Sequence, residues 1–392
     1  MNNFKNKKTL KHLVKRGKKG FGLKSFSLAA IAGLTLFGMQ AQAEMSTIED
    51  QYKENPSQPV YGGAIYNQTN ETIDDISANY KNNHATSATY DGEGNITGGS
   101  NAYGGAIYNA GTINSGTIGN LIGNYIEAGS SAAGGAIYNS STNFKLDAIN
   151  GDITSNHAHS NYESRGGAIY NQGGDLGELN GAIKDNYAQS DRSYAEGGAI
   201  YNTSGGFSGG KVTEISGNYA KGFAGANGGA IYNISSAFKL DEIGDIVNNN
   251  IYTKYSSTLG GAIFNRAGNL GIISGTIENN HALTDSDRAN AQGGSIYNTG
   301  TIEGLNASLK GNYASATYIG SYASGGAIYN TGTVNGGTIG EISDNYVESY
   351  FIAYGGAIYN ESSSFKLDGI TGDIKNNHVI SEYSCSQGGS YI

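Results

Sequence analysis

Two prolines, one cysteine and no tryptophan occur among the 392 residues. The lone Cys385 rules out an intrachain disulfide framework and any metal site built on several thiolates. The scarcity of proline, with no glycine triplet, excludes collagen. It also argues against simple disorder, which is rich in proline and poor in aromatics, because tyrosine alone numbers 29 here. Apolar residues make up 38%, below the roughly 45–50% of ordinary globular domains. A compact enzyme core drawn from that supply would be thin. Glycine is abundant instead, at 62 residues, more than twice the usual share of about 7%.

Basic residues are unevenly spread. Nine of the 24 lysines and arginines, and none of the 33 acids, lie in residues 1–43. Behind that basic start, Phe26 to Met39 is nearly continuous apolar sequence ending in Ala41-Gln42-Ala43. Basic segment, apolar segment and small-x-small site, in that order, read as a bacterial secretory signal cut near Ala43. The apolar run of 14 residues falls short of the roughly 20 that a spanning helix needs. The chain beyond residue 43 carries 15 basic and 33 acidic residues, a net charge of −18. Such a surface disfavours nucleic acid and anionic lipid as partners.

What organises the rest is a repeat. Gly-Gly-Ala-Ile-Tyr-Asn begins at Gly62, Gly104, Gly134, Gly166, Gly197, Gly228, Gly325 and Gly355, with Phe or Ser variants at Gly260 and Gly293. The spacings are 42, 30, 32, 31, 31, 32, 33, 32 and 30 residues. About twenty residues after each start comes Asn followed by Tyr or His, as in Asn124-Tyr125 and Asn156-His157; the sixth repeat departs with Asn250-Ile251. Three repeats also share Phe-Lys-Leu-Asp, which places Asp147, Asp241 and Asp368 at one copied position.

A period near 31 suits helical arrays in length, but no segment carries apolar residues at helical spacing. Glycine, asparagine, threonine and β-branched isoleucine favour short strands and tight turns. The expected fold is therefore all-β: a right-handed parallel β-helix, or solenoid, of about ten to eleven coils stacked at about 4.8 Å, on the order of 50 Å long. The expected organisation is a signal at 1–43, a lead-in at 44–60 and the repeat array at 61–392.

Side chains alternate along a strand. In the first motif one assignment directs Ile65 inward and Ala64 and Tyr66 outward; the opposite one puts Tyr66 and its nine counterparts in the core. Asn67 would sit at a corner in the left-handed region and bond from coil to coil. Facing out, Tyr66 and its nine counterparts form either a packing stripe or a ligand-binding one. His84, His157, His281 and His378 stand where other repeats have tyrosine and read as structural substitutes.

These motifs resemble the passenger domains of autotransporters, most closely the polymorphic outer membrane protein type, whose repeats carry Gly-Gly-Ala-Ile and Phe-x-x-Asn. Nine copies match the first half unchanged; the second half is Asn-Tyr or Asn-His here. The resemblance covers roughly residues 60–392 and the leader. It implies export, display at the bacterial cell surface or outer membrane, and adhesion to ligands on host or neighbouring cells. Passenger domains are followed by a membrane barrel of alternating strands, and no such pattern occurs. The chain ends at Gln387 to Ile392, where an eleventh motif would begin, so the array reads as cut short or as served by a separate translocator.

An enzyme would need converging carboxylates, or a carboxylate beside Arg or Lys, in a groove. Asp147, Asp241 and Asp368 recur with the repeat, which fits stacking better than chemistry. Arg192 and Arg288 read as solvated loop charges. His157 and His159 share a strand face but lack a third metal ligand. No phosphate loop or His-Glu-x-x-His occurs. No catalytic, cofactor-binding or metal residue is assigned and no cofactor is expected. The reading is an exported adhesin or structural stalk that recognises its target through loops such as 86–103, 190–196 and 282–292. A secreted polysaccharide lyase or hydrolase, or a fragment without function, is the alternative.

Overall fold

The structure, a computed structural model, describes residues 45–383 and 386–387. Residues 1–43, expected as a leader, and Cys385 and the expected start of the eleventh motif lie outside these residues. Among the described residues there are only strands and turns, without a helix. They form a parallel β-solenoid of ten full coils. Each coil contributes to four long sheets, numbered here in chain order from the Gly-Gly corner. Sheet 1 runs from Ile65–Asn67 to Ile358–Asn360, sheet 2 from Thr47–Glu49 to Ile374–Lys375, sheet 3 from Tyr52–Glu54 to His378–Ser381, and sheet 4 from Val60–Tyr61 to Ser386–Gln387. The 44–60 segment already supplies strands to sheets 2, 3 and 4. Pro56 and Pro59 fall in its turn, outside the ladders, where a missing N–H costs nothing.

Register is strict in sheet 1: each motif position faces its counterpart in the next coil, as Ile200 faces Ile231, with Phe264 taking the tyrosine place in one coil. The isoleucines point in, from Ile65 at 5% exposed to Ile107 and Ile231 at 0%. They pack against sheet 2 and the turn residues Phe144, Phe207 and Phe238 in one large core. The tyrosines face out along the stack, most of them half-buried and Tyr201 and Tyr329 buried. Motif alanines were expected outside, yet Ala106 and Ala230 are fully buried in that core. The chain bends just before them, so period-two alternation does not extend back across the corner.

Sheets 3 and 4 enclose a second, thinner core built almost wholly of alanine with Val60, Ile126, Ile251 and Val347. Small side chains let two backbones approach closely, which explains how so lean a composition fills its interior. The two lobes join at a waist, and the Gly-Gly pair makes it. In the fifth motif Gly197 has φ +61°, a conformation glycine adopts without strain. A Cβ on Gly198 would overlap the carbonyl oxygens of Gly229 and Tyr219. Backbone there meets backbone.

Opposite the glycines runs a buried asparagine ladder. Asn218 donates from both N and Nδ2 to Oδ1 of Asn249, at 3.1 and 2.9 Å. Its Nδ2 also donates to the Ile183 carbonyl of the preceding coil at 2.8 Å. The sixth repeat therefore keeps the motif one residue earlier than read: Asn249 holds the ladder and Asn250 takes the aromatic position, facing Tyr219 and His281. Asn83-His84 begins the series. The residue before each ladder Asn is left-handed in all ten coils, from Asn82 (φ 53°) through Gly123 and Asp185 to Asn376 (φ 54°). Asn67 was expected in that region. It is extended and fully buried instead, and its Nδ2 donates to Asn109 Oδ1 at 2.6 Å, starting a second ladder in sheet 1.

Gly198→Ala is expected to destabilise the rod by about 3 kcal/mol or more, because the obstruction is backbone and cannot move aside. Gly92→Ala, with nothing within 4 Å, is the control and should leave the thermal midpoint unchanged. Asn218→Ala should cost about 2–4 kcal/mol by stranding buried donors and acceptors, read by chemical denaturation.

Candidate functional site

Aromatic side chains fall into two populations. The first forms stacks along the rod. Motif rings of sheet 1 follow one another at 4.8–5.5 Å, Tyr138–Tyr170 at 4.8 Å and 7° and Tyr297–Tyr329 at 4.9 Å and 4° among them. On sheet 3, His84, Tyr125, His157, Tyr187 and Tyr219 do the same, with centroids 4.4–4.8 Å apart. The histidines thus occupy the tyrosine positions, as expected. Each ring face is covered by its neighbour, so the stripe offers a ligand only edges and hydroxyls. Stacking, not ligand capture, is what this geometry provides.

The outer faces of sheets 4 and 1 meet at a re-entrant corner over the glycines. Tyr61 touches Tyr66 there, at 5.5 Å. Midway along, Arg165 pairs with Glu163 at 2.9 Å and Glu196 at 3.2 Å. Its guanidinium carbon lies 5.4 Å from the centre of the Tyr201 ring. This is the carboxylate-with-arginine set that an enzyme would need, and sequence reading did not single it out. Burial pushes the Glu196 carboxyl up, opposed by Arg165 and a bond from Asn227. Arg165 is engaged on both sides and Glu196 is 8% exposed, so the set closes on itself.

Two copied aspartates also hold backbone. Asp241 and Asp368 accept the N–H of Gly210 and Gly337, each at 2.9 Å. His157 and His159 do share a face, but His157 is enclosed in the stack and His159 pairs with Asp191 at 3.2 Å. Among the described residues no group of three or more His, Cys, Asp or Glu is placed to hold a metal.

The second aromatic population is exposed and sits at one edge. Of the fourteen exposed large apolar side chains among the described residues, ten lie in or beside the connection from sheet 3 to sheet 4; Tyr162, Tyr194, Phe223, Tyr255, Tyr318 and Phe351 are six of them. Tyr255 is 56% exposed and packs edge-on against Phe223 at 4.6 Å. Lys254 lies 5.3 Å from the centre of its ring. All three loops expected to recognise a target, 86–103, 190–196 and 282–292, fall on this edge. Tyrosine among serine, glycine and asparagine is the chemistry of antibody binding loops, where large amphipathic rings lose little entropy on contact. Sequence reading missed the concentration because loop lengths vary and no fixed spacing marks it.

The first coil departs most. Ala88, Thr89 and Tyr90 pair antiparallel with Ile96–Gly99, making a hairpin over sheet 3; this insertion is the origin of the spacing of 42. Beneath it lies an open cleft of about 490 Å³ lined by Tyr52, Glu54, His84, Thr86, Tyr90, Tyr125 and Glu127. Tyr90 reaches across to donate to Glu127 at 2.5 Å, and Tyr52 donates to Glu54.

No protein-family model matches this sequence, and no curated protein or solved structure is similar to it.

Burial within the stack pulls His157 down from 6.5 to about 3, with His159 and His84 as lesser like-charge influences. His84 and His281 are lowered for the same cause. The unfolded chain therefore binds more protons below pH 6.5, and stability should fall as pH drops from about 6.5 towards 3. His157→Tyr keeps the stack and removes one of its titrating groups. Its thermal midpoint should fall less over that window than that of the parent.

Proposed function

We propose that the chain is an exported, surface-displayed solenoid that serves as an adhesin or stalk in cell-surface attachment, in the manner of an autotransporter passenger, and is not an enzyme. The observation that carries this reading is the exposed aromatic edge between sheets 3 and 4. A soluble rod exposes contiguous apolar surface at a cost in solubility, and such surface marks interaction sites. Stacked coils provide reach, and the edge provides contact area along the rod. The partners would be protein or glycan ligands on host or neighbouring cells. A translocator barrel supplied separately or by further sequence would carry the chain outward, with the leader removed near Ala43. The acidic charge beyond residue 43 argues against nucleic acid.

Binding of the exported protein to host and bacterial cells is the test. Replacing Tyr162, Tyr194, Phe223 and Tyr255 together with serine should lower cell-bound protein by about tenfold or more while the thermal midpoint stays put. Ile272→Ser, exposed on sheet 2, is the control. Unchanged binding by the quadruple variant overturns the assignment of the edge. Shortening of a polysaccharide by the parent protein would instead favour the lyase or hydrolase alternative. Mass spectrometry of the exported protein should find Glu44 at its N-terminus.

A further inference from the structure

We propose that the cleft under the first-coil hairpin is a binding site for a primary ammonium group, carried by a lysine side chain or by a free alkylamine. The inference stands independently of the attachment reading. Register places Thr86 between Glu54 of the preceding strand and Glu127 of the following one, so the two carboxylates flank one hydroxyl at a single strand spacing of about 4.8 Å on each side. Thr86 is 6% exposed and lines the cleft, and among the described residues its hydroxyl has no hydrogen-bond partner. That hydroxyl is not sealed from solvent, so its partner comes from whatever occupies the cleft.

The lining holds two carboxylates and no lysine or arginine. The carboxylates are partly used, by Tyr52 and Tyr90, but each keeps acceptor capacity, since an ionised carboxylate takes about four donors. An ammonium ion has three N–H donors and no acceptor. Placed over Thr86, it meets one acceptor on each side and one below. Tyr90, brought in by the hairpin, has no ring neighbour among the described residues, so its face is free to cover the cation. Its hydroxyl already fixes Glu127. A cavity of this size suits a small ligand or one long side chain. A divalent metal is a poorer occupant, because two glutamates and a threonine offer it too few strong ligands. The hairpin supports the assignment as well. The other nine coils leave this stretch of sheet 3 without an antiparallel roof.

The test is calorimetric titration of the full chain, at fixed ionic strength, with n-butylamine and with Nα-acetyl-lysine methylamide. Both should bind, and tighter binding of the lysine derivative would identify a peptide side chain as the natural source. The Nε-trimethyl form of the lysine derivative keeps its amide N–H groups but has no ammonium N–H donor, and should fail to bind. Glu127→Gln and Glu54→Gln should each weaken binding about tenfold or more, the scale of one charge-assisted hydrogen bond. Glu93→Gln, at the exposed hairpin tip, should not. Circular dichroism of each variant checks that the coil is intact. No heat with either amine at tens of millimolar overturns the proposal (roughly the weakest affinity still worth the name). Equal binding of the trimethyl form, or no loss in both glutamine variants, also overturns it.

Discussion

Everything in this rod depends on how ten buried bends satisfy their backbone. At the bend from sheet 2 to sheet 3 the chain turns through a left-handed residue, and its carbonyls would be left without donors inside a waist too narrow for water. The buried asparagine answers this with one side chain. Its Nδ2 reaches the carbonyl of the coil behind, and its Oδ1 takes two donors from that coil's own Asn. Each asparagine is thus both caps at once, and the ladder is satisfied only if it continues. The ends show it. Gln51 supplies a backbone donor to Asn83 at 3.1 Å, whereas Asn67, first in the other ladder, leaves its buried Oδ1 unpartnered.

The waist explains the composition in turn. Where the asparagine ladder meets the Gly-Gly corner, backbones touch and no side chain fits. On one side of it the interior is wide and takes isoleucine, leucine and phenylalanine; on the other it is thin and takes alanine. Thin cores bury little area per residue, at roughly 25 cal/mol per Å². Stability then comes from repetition, each coil adding its own neighbour contacts, as in other solenoids. The outward rings add to this by stacking on the next coil. That role accounts for much of the tyrosine and takes those ring faces out of reach of a ligand.

Much of this was legible because it recurs. Ten copies of Gly-Gly-x-Ile fixed the period and the coil-to-coil asparagine bonding, while alternation alone left two choices of inward face, between which the buried isoleucines decide. Errors arose where periodicity stops. Alternation placed Ala64 and its counterparts outside, but they follow a corner, and corners reset which face a residue takes. Asn67 was given the left-handed conformation that belongs to the residue before the other asparagine. That position holds Asn, Gly, Ser and Asp in different coils, so it has a shared conformation without a shared letter. The sixth repeat was misaligned for a like reason, since Asn248-Asn249-Asn250 offers three candidates and only hydrogen bonding selects Asn249. Arg165, Glu196 and the cleft residues come from different coils, and nothing in one repeat announces that they meet.

The position of the exposed aromatics follows from the same mechanics. Two bends of every coil are locked, one by glycines that admit no Cβ and one by asparagines that must stay in register. Between sheets 1 and 2 the turn is filled by core side chains such as Phe207 and Phe238, which are fully buried. Only the connection from sheet 3 to sheet 4 lies over the thin lobe, where a change of loop disturbs few buried contacts. The sequence shows this freedom. Gly-Gly follows the ladder asparagine by 10 to 13 residues in the later coils, but by 21 from Asn83 to Gly104. A fold that fixes three corners and releases the fourth confines sequence variation to one edge. Loops that differ from coil to coil are what recognition of a partner requires, so in a molecule this repetitive that edge is where specificity can reside.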